Sequence, residues 1–131
     1  MFKFSGKRPA HLGVTNGRLS PPPNKPNCVS SQADPADTTH YIAPIGFAGD
    51  PATAMKKLRD VIEDMPRVEV IEAKPGYLYA EFSTKLMGYV DDVEFYNDGK
   101  AIQVRSASRL GYSDLGVNRK RVEAIRQAFA G

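Results

Sequence analysis

The chain has 131 residues, 41% of them hydrophobic and 25% charged, with a formal net charge of +3. One domain is expected at that length, burying roughly two-thirds of its unfolded surface without staples. The single cysteine, Cys28, excludes an internal disulfide and any Cys-x-x-Cys metal or redox motif. No apolar run reaches the about 18 residues of a spanning helix, and so small a net charge gives no reason to expect non-specific nucleic-acid binding.

Residues 1–38 hold six of the ten prolines, with Pro21, Pro22 and Pro23 in a row. Such a run favours an extended polyproline conformation. Its apolar anchors are few (Phe2, Phe4, Leu12, Val14, Leu19), so the segment is expected to be an extended arm wrapping a single domain, 39–131. The opening MFKFSGKRPA lacks the apolar core of a secretory signal, and a chain that begins there is expected in the cytoplasm.

From His40 the pattern becomes regular. HYIAPIGF (40–47) reads as a short strand. Asp50-Pro51 is a helix start, an N-cap followed by proline at the first helical position. Ala54, Met55, Leu58, Val61, Ile62 and Met65 recur at three- and four-residue steps until Pro66 stops the helix. VEVIEA and YLYAEFS are strands joined at Lys74-Pro75-Gly76, a sequence that suits a type II turn. GYVDDVEFY and AIQVRSAS flank Asp98-Gly99, a strong short hairpin signal. A final helix spans about 117–130, with Val122, Ile125 and Phe129 on one face. The order β-α-β-β-β-β-α predicts an α+β fold, an antiparallel sheet of about five strands covered by two helices.

A two-residue Asp98-Gly99 loop places Asn97 opposite Lys100, Val93 opposite Val104, Asp92 opposite Arg105 and Asp91 opposite Ser106. Phe95, Val93, Ile102 and Val104 then form the apolar face, with Asp91 and Ser106 at its end. Asp92 with Arg105 is expected as a cross-strand ion pair on the other face. Asp91, ending a core-facing row, needs a donor from Ser106, Ser108 or a later arginine.

The stretch VRSASRLGYSDLGVNRKR (104–121) gathers Arg105, Arg109, Arg119, Lys120 and Arg121 around three serines, Tyr112 and two glycines. With Asn118 as N-cap, three cations fall in the first turn of the last helix, where the helix dipole disfavours them. Asp114 as the cap softens that conflict. The charge is met either internally, by Asp91, Asp92 and Asp114, or by an external anion held at the free amides and arginines. No Walker loop, dinucleotide fingerprint or hydrolase elbow is present. Sequence-specific nucleic-acid binding is not expected, because only Tyr112 lies among the basic residues.

Cys28 with His40 is a conceivable nucleophile and base, but a buried or semi-buried structural thiol is the expected reading of Cys28. His40 or His11 with Asp91 lacks metal-ligand spacing, and neither metal nor cofactor is expected.

With these residues in view, "RPAHLGVTNGRL" (8–19), "PNCVSSQA" (26–33), "GYVDDVEF" (88–95) and "VRSASRLGYSDLGVNRKRVEAIR" (104–126) together resemble domain of unknown function 1499, a family of bacterial and plastid proteins. The resemblance covers nearly the whole chain and implies a compact α/β protein, with no reaction, cofactor or catalytic residue attached. It also implies a second cysteine shortly before "PNC". Pro22 stands there instead, which suits a reducing compartment.

Three functional readings follow. The first is a non-enzymatic binding module holding an anionic small molecule, or an acidic group of a partner protein, at the 105–121 loop and helix start. Its expected site comprises Arg105, Ser106, Ser108, Arg109, Tyr112, Ser113, Asp114, Asn118, Arg119 and Arg121, with Arg109 and Arg119 as direct contacts. Asp91, Asp92, Asn27 and Cys28 buttress it. The second is an enzyme using Cys28 and His40, or Asp91 and Asp92 as acid and base. The third is a structural domain whose arm and loop hold each other.

Overall fold

The computed structural model describes residues 6–85 and 88–131; Phe2 and Phe4 lie outside the described residues. The elements are β1 (Cys28–Ser30), α1 (Pro51–Glu63), β2 (Val68–Lys74), β3 (Tyr77–Ser83), β4 (Val90–Asn97), β5 (Ile102–Ser108) and α2 (Val117–Ala130). The strands form one antiparallel sheet in the order β1-β5-β4-β3-β2. This is the α+β architecture and the β-α-β-β-β-β-α order expected.

The first strand, however, is not HYIAPIGF. That segment makes only isolated bridges, Tyr41 to Ser30 and Ile45 to Ile102. Pro44, in its middle, has no N–H to continue a ladder. The edge strand is Cys28–Ser30, running antiparallel to β5. The 40–47 segment instead closes one end of the core with buried Ile42 and Ile45. Arg126 fastens it to α2 by donating to the carbonyls of Ala43 and Pro44.

α1 starts where its cap dictates. The Asp50 carboxylate accepts from Thr53 N at 2.9 Å, and Pro51 occupies the first position. Ala54, Leu58 and Ile62 face the sheet, as do Val122, Ile125 and Phe129 of α2. Both helices cover the same sheet face, onto which Leu78, Ala80, Phe82, Val93, Phe95, Ile102 and Val104 project.

The β4–β5 register differs from the expected one. Asn97 pairs with Ile102, Val93 with Ser106, Asp92 with Ala107 and Asp91 with Ser108. The loop is therefore four residues, 98–101. Asp98 Oδ1 accepts from the amides of Lys100 and Ala101, and Asn97 Oδ1 from Gly99 N, so local side chains widen the turn. A slip of two residues leaves every side chain on its face. Hence the predicted apolar face holds, whereas the predicted partners do not.

The other sheet face is polar and still buried. Tyr77, Tyr79, Asp92, Glu94 and Arg105 lie there, covered by the arm. Leu12, Leu19 and Ile71 pack around the two tyrosines. A bulge between Val70 and Glu72 lets Ile71 reach this face, while Val68 and Val70 pack against the main core. Gly13 N donates to Glu94 Oε2 at 2.7 Å, and Arg105 donates to the carbonyls of Ser20 and Pro21.

His40 ties the arm to the domain. Its Nδ1 lies 2.7 Å from Asp37 Oδ2, and its Nε2 lies 2.8 Å from the Lys25 carbonyl. Two acceptors favour the imidazolium. Burial opposes the charge, but these bonds outweigh it and raise the pKa above its ordinary 6.5. Because the folded value is raised, the stabilisation is fully present below the unfolded pKa and disappears as pH rises through the folded one. Urea unfolding between about pH 5 and 9 should show the wild type losing stability relative to His40→Gln as the imidazole deprotonates.

Candidate functional site

The sheet divides the expected site residues into two networks. On the helix face, Asp91 ends the core-facing row of β4, and Arg121 Nη2 lies 2.7 Å from its Oδ2. The Arg121 guanidinium also sits 4.9 Å from the Phe82 ring centroid. Beside this pair is Asn118, fully buried. Its Oδ1 accepts from Ser106 Oγ at 2.6 Å and from Arg121 Nη1 at 2.8 Å. Its Nδ2 donates to Asp114 Oδ2 at 2.7 Å, to Ser108 Oγ at 2.9 Å and to the Asn27 carbonyl at 3.3 Å. One amide thus joins β5, α2, the loop before α2 and the residue preceding β1.

Asn118 is accordingly not the N-cap. The helix begins at Val117 after Gly116, which adopts φ 82°. Asp114 supplies the capping carboxylate, accepting from Gly116 N at 2.8 Å and Asn118 N at 3.1 Å. An acidic cap inside the preceding loop counters the dipole conflict raised by Arg119, Lys120 and Arg121. Burial raises the pKa of Asp91, against the opposing pull of Arg121.

On the opposite face, Asp92 pairs with Arg109, not with Arg105. Arg109 Nη2 reaches Asp92 Oδ1 at 2.6 Å and Glu81 Oε2 at 2.9 Å. Arg105 faces Glu94 across the strands, and its guanidinium turns to arm carbonyls. Tyr79 OH donates to Asp92 Oδ1 at 2.6 Å, and Tyr77 OH donates to Glu94 Oε2 at 2.6 Å. Burial, followed by these hydrogen bonds to carboxylates, drives both phenol pKa values upward. Arg8 of the arm completes the group, 2.7 Å from Glu81 Oε2. Tyr77, Tyr79, Glu81, Glu94 and Arg8 were not among the expected site residues. The alternation of YLYAEFS does place Tyr77, Tyr79 and Glu81 on one face, but nothing local shows that an arm buries them.

Arg119 belongs to neither network. It donates to the carbonyls of Thr38, Thr39 and Tyr41, whereas Arg109 meets Asp92 and Glu81, so among the described residues the two arginines go to different partners. Tyr112 and Ser113 are exposed.

What the segment does form is a cleft of about 630 Å³ beside the Asp91 network. Asp91, Ser108 and Asp114 supply polar groups to its wall, and Tyr89, Leu110, Leu115 and Val117 supply apolar ones. Those four are exposed large hydrophobic residues, Leu115 at 88%. Asn27 borders the same loop, its Nδ2 donating to Gly111 O at 2.8 Å, while its buried Oδ1 has no hydrogen-bond partner among the described residues.

Cys28 is buried, and burial pushes its thiol up to about 11. Its Sγ contacts the Val29 carbonyl at 3.7 Å, while both His40 nitrogens are engaged elsewhere. Among the described residues no group of three His, Cys, Asp or Glu side chains stands placed to hold a metal, and no helix is long and apolar enough to cross a membrane.

These features define a single-sheet α+β protein with both helices on one face, a strapped polar face behind, and a half-apolar cleft at one end. The chain belongs to the family described as protein of unknown function (DUF1499), whose profile matches residues 18–129. Among curated proteins no match is found.

Two outcomes test the networks. Asn118→Ala strands buried partners on four segments and should lower the unfolding free energy by about 2–4 kcal/mol in urea titrations. For Glu81, burial opposes the charge, but hydrogen bonds from Arg8, Arg109 and Tyr79 outweigh it and hold the pKa at about 2. A depressed acid stabilises the fold above its unfolded pKa of 4.5 and stops doing so as pH falls toward 2. Glu81→Gln should therefore flatten part of the acid limb of the stability curve.

Proposed function

We propose that the protein is a non-enzymatic binding module in which the 105–121 segment and the end of β4 hold a small molecule in the cleft beside Asp91. Its ligand has an apolar body and a hydroxyl or ammonium donor, in place of the anion suggested by the local count of arginines. The observation that carries this reading is the gathering of exposed Tyr89, Leu110, Leu115 and Val117 around a wall bearing Asp91, Ser108 and Asp114. Apolar pockets with a few fixed polar groups are the usual form of small-molecule sites, and this volume lies in their range.

Two further facts support the choice of ligand. Arg105, Arg109, Arg119 and Arg121 already donate to the protein's own acceptors, so an incoming anion would compete with bonds in place. Among the described residues, the titratable groups that line the cleft are Asp91, Asp114 and Tyr89, with Arg121 paired to Asp91 behind the wall. Against an enzymatic role stand a thiol raised by burial, a histidine engaged at both nitrogens, and Asp91 and Asp92 each paired with an arginine.

Amide chemical-shift mapping with a fragment panel tests the reading. Aromatic or aliphatic amines and alcohols should shift amides at 108–117 in a saturable manner, and Leu115→Ser with Val117→Ser should weaken that binding several-fold. Carboxylates and phosphates that move the same amides more strongly than amines would restore the anionic ligand. Silence across the whole panel would leave the arm-and-loop scaffold, the structural reading, in its place.

A further inference from the structure

A second concavity lies at the other end of the sheet, between the first turns of α1 and the β2–β3 turn. Its volume is about 620 Å³, and Ala52, Met55 and Leu78 are among its apolar wall. Its charged lining is of one sign: Lys56, Arg59 and Lys74 contribute, and among the described residues no aspartate or glutamate does. This is the reverse of the Asp91 cleft.

The three cations are not equally committed. Lys74 lies 3.1 Å from Glu72 and 5.3 Å from the Tyr77 ring centroid, and Arg59 lies 3.3 Å from Glu63. Both pairs are half-exposed, which makes them weak and exchangeable. Among the described residues Lys56 has no carboxylate within ion-pair distance. An exposed ammonium, two loosely held cations beside it and an apolar trough are complementary to a molecule with one anionic end and a hydrocarbon body.

We propose that this groove binds a free single-chain carboxylate amphiphile, with the chain along Met55 and Leu78 and the carboxylate at Lys56. Concavity favours a single chain lying in the groove over a bilayer surface, which would need a protruding apolar face. The all-basic rim discriminates against cationic and uncharged amphiphiles of equal length.

Isothermal titration calorimetry with dodecanoate, below its micellar concentration, is the test. The wild type should bind it saturably, while acetate and dodecyltrimethylammonium give no comparable heat. Lys56→Glu should weaken binding about tenfold, as expected for losing one charge-assisted contact. Ala52→Trp, filling the trough from an exposed helical position, should abolish it. Thermal melts of both variants report folding, and the Lys56→Glu result decides alone if Ala52→Trp alters the melt. Equal binding of the cationic amphiphile, dodecanoate affinity unchanged by Lys56→Glu, or capture by anionic vesicles in preference to free dodecanoate would each overturn the proposal.

Discussion

Two aspartates stand side by side in a strand buried on both faces. Strand geometry sends Asp91 to the helix side and Asp92 to the arm side, and both are almost wholly removed from solvent. A buried carboxylate without a counter-charge is costly enough to unfold a domain of this size. Each therefore requires its own arginine, brought from a different direction. Arg121 arrives on α2, and Arg109 comes from the turn after β5. The path of the chain from 105 to 121 is largely the solution to that problem: it must leave the sheet, deliver one guanidinium to the outer face, and return with another on the inner face.

The rest of the segment's chemistry follows from the same constraint. Because the loop changes faces, it needs a hub to define its exit, which Asn118 provides, and an acidic cap where cations crowd a helix start, which Asp114 provides. With those polar groups spent inward, the apolar side chains of 110–117 are left outward around a cleft. The arginines of this segment thus become an internal brace, and the cleft left at this end is lined largely by apolar side chains, with the already paired Asp91 and Asp114 in its wall. The basic, apolar groove is at the opposite end of the sheet.

The arm follows a related logic. A polar sheet face carrying Tyr77, Tyr79, Glu81, Asp92 and Glu94 would be soluble if left bare. Covering it commits the protein to supplying donors, and Gly13 N, Arg8 and Arg109 do so. Buried polar networks fix a unique arrangement better than an apolar seam does, since misplacement leaves groups unsatisfied. A segment rich in proline, held by side chains that reach its carbonyls from the domain, can then lie in a defined path without its own secondary structure.

Much of this architecture was legible in the residues alone. The cap at Asp50-Pro51, the three- and four-residue spacing of α1 and α2, and the period-two alternation of β3, β4 and β5 fixed the elements and their inward faces, because those signals are local. The hairpin partners lie two positions from those a two-residue loop implies, since Asn97 and Asp98 side chains compete with the backbone inside the turn, yet an even slip preserves the faces. HYIAPIGF reads as a strand from its residues, yet the first strand is Cys28–Ser30, because three residues of extended chain become a strand only through the neighbour they meet. Which carboxylate each arginine neutralises, and so which polar groups remain at the surface, is set by contacts between residues far apart in the chain. No periodicity encodes such pairings; only the packed sheet, with its two faces and the chain segments that cross between them, decides them.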